Sequence, residues 1–120
     1  FPFCLSSPKF TFMVSEIVRE KLLMLTEDAV PHSITCYTTK FTEKKDIINI
    51  NVDIIVDRDS LKRIVIGKNG SMLKQVGTLA RRDIQELVGK QVYLELFVKT
   101  IKNWKEKEKY LIELGFIDNE

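Results

Sequence analysis

Histidine and cysteine are scarce in this 120-residue chain, and their scarcity closes off whole classes of chemistry. His32 is the only histidine, and the two cysteines, Cys4 and Cys36, do not form a metal-ligand spacing, so a zinc site is excluded. No Ser/His/Asp or Cys/His grouping presents itself, so a small hydrolase fails on inventory. His32 itself follows Pro31 at the entrance to a strand pattern and reads as structural or exposed. Two lone thiols suit a reducing compartment. No apolar run approaches the roughly 20 residues that a membrane-crossing helix needs. The chain opens on Phe1 and lacks the basic segment of a signal peptide, so it reads as a piece cut from something longer.

What is present is ordinary in amount and unusual in arrangement. With 44% hydrophobic and 30% charged residues, the composition is that of a globular domain. A chain of this length buries about two-thirds of its unfolded surface. The net charge is only +2, yet between Arg58 and Arg82 seven basic residues face a single acid, Asp59. That stretch carries +6 and leaves −4 for the rest of the chain. A basic stripe on a near-neutral protein is the footprint of a polyanion site, although charge alone would equally suit a solvated helix face.

Periodicity divides the chain. Residues 1–13 hold Pro2, Pro8 and four phenylalanines without a repeat and read as a linker or a strap packed on a neighbour. From Ser15 a helix is expected, with Val14, Ile17, Val18, Leu22 and Leu25 on one stripe and Pro31 beyond its end. Ile34 and Cys36 open a β-branched strand. Ile48, Ile50, Val52, Ile54 and Val56 then alternate with polar residues as a half-buried strand, and residues 42–46 form the hairpin loop. Asp59-Ser60 can cap a short helix through Val65, although Ile64–Ile66 alone would also suit a strand. A longer helix is expected from Ser71 to about Val88, with Gly89 as its cap. Val92, Leu94, Leu96 and Val98 alternate as a third strand, and Asn103 and Glu106 resemble a capping box opening a last helix to Leu114. Trp104 and Tyr110 fall in that helix pattern and could stack bases, although packing is the leading reading, and the Lys102–Lys109 run reads as a solvated face.

The informative segment is Gly67-Lys68-Asn69-Gly70, two glycines bracketing two polar residues between helical patterns. Glycine admits positive φ and lets another chain approach without a Cβ in the way. The N–H groups that open the next helix point into that approach path, partly positive, and suit a phosphodiester backbone. Lys68 adds charge, and Ile66, Leu73 and Val76 could floor a groove for unstacked bases. This is the GXXG arrangement that clamps about four nucleotides in KH domains. Alone, the tetrapeptide would also serve as a plain helix–helix turn. It is not a nucleotide phosphate loop, because GxxxxGK[ST] would need glycine at Lys62 and serine or threonine at Asn69.

In order along the chain, residues 15–22, Val30-Pro31-His32-Ser33, residues 57–60 and 64–70, and Leu73-Lys74-Gln75-Val76-Gly77 resemble the C-terminal part of Era-type GTPases. Ala80-Arg81, residues 93–99, Trp104 and Leu114-Gly115-Phe116 continue the match. It departs at Asp57, Leu61 and Phe97, where glutamate, glutamine and tryptophan are usual, and Leu61 puts one polar RNA contact in doubt. The resemblance implies an α+β fold, a type II KH domain with a three-stranded sheet against helices in the order α-β-β-α-α-β-α. Residues 1–13 would then be a linker from a missing GTPase domain, and residues 14–120 the RNA-binding domain with its C-terminal helix.

The resemblance further implies that the partner is single-stranded RNA, the 3′ end of small-subunit ribosomal RNA, in the service of small-subunit assembly. Contacts are expected from Arg58, Arg63, Ile66, Gly67, Lys68, Asn69, Gly70, Ser71, Leu73, Lys74, Gly77 and Arg81. No catalysis and no cofactor are expected here; GTP and Mg would sit in the parent's own GTPase domain, itself a partner. The expected location is the cytoplasm, with weak peripheral association with the inner membrane face, and an organelle counterpart stays open. The rival reading is a regulatory module that docks on the GTPase domain and ignores RNA.

Overall fold

A computed structural model describes residues 8–26 and 34–102. Its elements run α1 (Pro8–Thr26), β1 (Ile34–Glu43), β2 (Ile47–Val56), α2 (Asp59–Ile66), a short 3₁₀ turn (Lys68–Gly70), α3 (Ser71–Val88) and β3 (Gln91–Thr100). The expected last helix, with Trp104 and Tyr110, lies outside the described residues, as does His32.

β2 is the central strand, antiparallel to β1 and parallel to β3. Its period-two pattern explains why. Ile48, Ile50, Val52, Ile54 and Val56 project to one face and every one of them is fully buried. Cys36 and Ile34 stand opposite Ile54 and Val56, while Leu94 and Leu96 flank Ile50 and Val52 on the other side. The helices cover this face: α1 packs on β1 and α3, and α3 packs on β3. Val14, Val18 and Leu22 of α1 and Val76, Ala80 and Ile84 of α3 complete the core. Over the described residues, the element order and the three-stranded sheet are those the sequence resemblance led one to expect.

Three local expectations change. The helix expected from Ser15 begins at Pro8, so part of the stretch read as linker is helical. Phe10 extends the apolar stripe by one turn, is buried, and meets Phe41 edge to face at 5.4 Å. The hairpin turn is shorter than residues 42–46, because β1 runs to Glu43 and Lys44 N–H bonds the Ile47 carbonyl at 2.9 Å. A register shift between Thr38 and Lys40 absorbs the extra residue. Asp59 is the first residue of α2 rather than its cap; Arg58 holds that position with no side-chain bond to the helix end.

On the opposite sheet face, Asp53 is 3% exposed and its Oδ2 lies 2.7 Å from the Lys99 Nζ across the β2–β3 pair. Burial pushes the Cys36 thiol well above its ordinary range, which keeps it protonated and inert. Among the described residues, no helix is long and apolar enough to cross a membrane.

Because Ile50 is enclosed by both neighbouring strands and the helical layer, Ile50→Ala should cost about 2–5 kcal/mol of unfolding free energy. Met24→Ala, at an exposed helical position, should stay within about 0.5 kcal/mol. Urea unfolding of both variants checks the contrast.

Candidate nucleic-acid interface

The turn between α2 and α3 is built on backbone conformations that most residues avoid. Gly67 has φ 75° and ψ 177°, a region in essence reserved for glycine. Asn69 follows at φ 56° and ψ 28°, left-handed but tolerable for asparagine, and Gly70 at φ 77° and ψ 11°. Gly70 N–H closes the turn on the Gly67 carbonyl at 3.2 Å.

The two glycines are needed for different reasons. A Cβ on Gly67 would stand 2.7 Å from the Met72 Cβ and 2.8 Å from the Met72 nitrogen, so the tight packing of turn on helix requires its absence. A Cβ on Gly70 would meet nothing within 4 Å. What Gly70 leaves open is space on the outside of the turn, where α3 begins with the Ser71 N–H bonded back to the Lys68 carbonyl.

That space leads into an open groove of about 530 Å³ between α3 and β3, lined by Gly70, Leu73, Lys74, Gly77, Thr78 and Arg81 on one wall and Leu94 and Leu96 on the other. The helical spacing puts Gly70, Leu73, Lys74, Gly77 and Arg81 on one side of α3, while Val76, Ala80 and Ile84 turn into the core. Gly77 lies where the walls are close: a Cβ there would be 3.6 Å from the Leu96 Cδ1, an ordinary contact that would narrow the groove. Among the described residues β3 is an edge strand of the sheet, as β1 is on the other side, so the second wall presents a strand edge as well as two leucines.

The expected contact residues fall into groups. Gly70, Leu73, Lys74, Gly77 and Arg81 line the groove together. Lys68 and Asn69 are exposed on the turn at its mouth, with Ser71 exposed at the start of α3. Arg63 is exposed on α2, and half-buried Ile66 closes that helix. Arg58 is not among the residues lining the groove; its guanidinium is exposed and pairs with the neighbouring Asp57 carboxylate at 3.2 Å and 3.4 Å. Val76, expected on the floor, is instead fully buried in the core. Thr78, Leu94 and Leu96 were not anticipated as lining residues; Leu94 and Leu96 showed only strand alternation, which gives no hint of what faces them.

Other side-chain pairs hold the frame. Lys21 of α1 bridges Asp83 of α3 at 2.6 Å, and this bond, with a weaker one to Glu20, holds the Lys21 ammonium above its usual range. Arg19 Nε donates to the Ile34 carbonyl at 3.4 Å, a structural use distant from the groove wall.

Comparison with known proteins agrees with this geometry. A KH domain family model matches residues 29–105. A structure of Era from Aquifex aeolicus bound to GDP·AlF4− is 38% identical, covers 89% of this chain and superposes with a TM-score of 0.79. A structure of Era in complex with MgGDPNP and nucleotides 1506–1542 of 16S ribosomal RNA is 36% identical, covers 97% of this chain and gives a TM-score of 0.80. The chain spans 36% and 38% of those two proteins, little more than a third of their length.

The two turn glycines should respond differently to one added methyl group. Gly70→Ala pays only for left-handed backbone, about 1–2 kcal/mol. Gly67→Ala adds overlap with Met72 to a backbone region closed to alanine and should cost about 3 kcal/mol or more. Equal losses in denaturant unfolding would contradict the packing difference.

Proposed function

The chain belongs to the KH domain family, and from that membership we propose that it binds single-stranded RNA in the groove between α3 and β3. The observation that carries the reading is the turn at Gly70, open to solvent at the mouth of a leucine-floored groove that Lys74 and Arg81 flank. A ribose–phosphate backbone would run past Lys68, Gly70 and the opening turn of α3, where charge and helix dipole favour phosphate. Its bases would turn inward onto Leu73, Leu94, Leu96 and the bare backbone at Gly77. Duplex RNA cannot do this, because its bases are stacked and paired.

The RNA we assign is the 3′ end of small-subunit ribosomal RNA, supported by the likeness to the Era structure that holds 16S nucleotides. The domain would then be the RNA-reading part of a GTPase that assists small-subunit assembly in the cytoplasm, the nucleotide and Mg being held by a separate domain. The glycine turn of this chain does not match the nucleotide phosphate-loop pattern GxxxxGK[ST].

Fluorescence titration of an RNA oligomer matching that 3′ end, beside a scrambled one, is the direct test. If Arg63, Lys68, Lys74 and Arg81 neutralise three to four phosphates, log K against log[salt] should fall with a slope of roughly −2 to −3. Lys74→Ala should flatten that slope by about 0.7 and weaken all sequences alike. Lys45→Ala, in the hairpin turn, should leave it alone. Lys68→Asp with Asn69→Asp should remove binding and preserve the melting curve, since both side chains are exposed. A slope near zero for the unchanged domain would favour a docking module instead.

Gly77→Ala separates stability from binding. Alanine in a helix interior should raise stability by up to about 1 kcal/mol. The same methyl narrows the groove against Leu96 and should weaken RNA binding. A variant both more stable and unimpaired in binding would place the bases elsewhere.

A further inference from the structure

Most of what lines the groove treats ribose and deoxyribose alike. Leu73, Leu94 and Leu96 offer apolar contact, and Gly70 and Gly77 offer space. Lys74 and Arg81 offer positive charge and hydrogen-bond donors that a phosphate satisfies in either nucleic acid. Thr78 differs from all of these. Among the described residues it is the one lining residue with an uncharged polar side chain, and the one with a side-chain acceptor.

Its hydroxyl is also fixed in role. Thr78 Oγ1 lies 2.9 Å from the Lys74 carbonyl oxygen, one helical turn earlier. A carbonyl cannot donate, so the hydroxyl proton is committed to that bond and the two lone pairs of Oγ1 are left for the groove. The residue is exposed, so those lone pairs are reachable. The wall at this point therefore asks its ligand for a donor. Lys74 and Arg81 stand one turn before and three residues after Thr78 on the same side of α3, so a backbone held by these two cations passes over the hydroxyl. The group that a ribose presents there, and a deoxyribose lacks, is the 2′-hydroxyl, which can donate.

We propose that Thr78 is a specificity-determining residue that distinguishes RNA from single-stranded DNA, its Oγ1 accepting a hydrogen bond from one ribose 2′-hydroxyl. This rests on the groove being the single-stranded nucleic-acid site. The floor and the two cations supply affinity common to both polymers, and Thr78 supplies the difference. One neutral hydrogen bond is worth roughly a threefold to tenfold preference.

The test compares one RNA oligomer, matching the small-subunit rRNA 3′ end, with its deoxyribose counterpart carrying deoxyuridine for uridine, so that only the 2′ position differs. The unchanged domain should bind the RNA roughly threefold to tenfold more tightly. Thr78→Val keeps the shape and removes the acceptor; RNA affinity should fall to the DNA value, with DNA affinity and salt slope unchanged. Thr78→Ala should behave as Val does, while Thr78→Ser, which keeps the hydroxyl, should keep the preference. Equal weakening of both polymers by Thr78→Val, or no preference in the unchanged domain, would overturn the assignment. No binding of either oligomer would overturn the RNA reading itself, and the assignment would fall with it.

Discussion

Burial of one row of side chains on β2 sets everything else in place. Ile48, Ile50, Val52, Ile54 and Val56 leave water together, and none can do so unless strands flank β2 on both sides and helices cap the face. At roughly 25 cal/mol per Å² of apolar area, each such side chain contributes about 1.5–3 kcal/mol, so the row outweighs any ion pair on the surface. β1 reaches its place through a tight hairpin. β3 must arrive parallel, which a short turn cannot achieve. The chain therefore needs a long crossover, and α2, the glycine turn and α3 are that crossover.

The candidate site follows from this geometry. α3 has two working faces: Val76, Ala80 and Ile84 fasten it to the sheet, and Leu73, Lys74, Gly77 and Arg81 line the groove. Because the fastened face is fully buried, the lining face is held against β3 at a fixed spacing. Rigidity of this kind lowers the ordering cost that a flexible single strand would otherwise meet alone. Gly77 illustrates the compromise: a helix gives up propensity there, and a clear passage beside Leu96 is what it gains.

Much of this was legible in the sequence, and the reasons are local. β2 announced itself because a period of two over five β-branched positions has no helical alternative. The glycine turn and α3 were legible because Gly67, Gly70 and Gly89 punctuate a clean helical stripe. The start of α1 was missed because Phe10 sits among phenylalanines and prolines that mask its one extra turn. The bulge that lengthens β1 leaves no mark in residue types. Leu94 and Leu96 belong to the site only through the parallel pairing of β3, a long-range fact invisible in their own alternation. Arg58 carries the expected charge, pairs with its neighbour Asp57 and stays exposed. The role of the Thr78 hydroxyl depends on its bond to the Lys74 carbonyl, which residue types do not reveal.

The parallel crossover also bears on how the protein is born. A ribosome delivers the chain from its N-terminus, at about 5–20 residues per second. β1 and β2 can pair as soon as their hairpin emerges, whereas the glycine turn and α3 leave the tunnel before the strand that forms the other wall. Long-range parallel pairing is intrinsically slow, since chain closure precedes any reward from contact. Until β3 docks, the nascent chain displays its basic stripe without a groove, and polyanions can be held only by charge. The groove thus forms in the same step that completes the sheet, after the charge that flanks it is already in place.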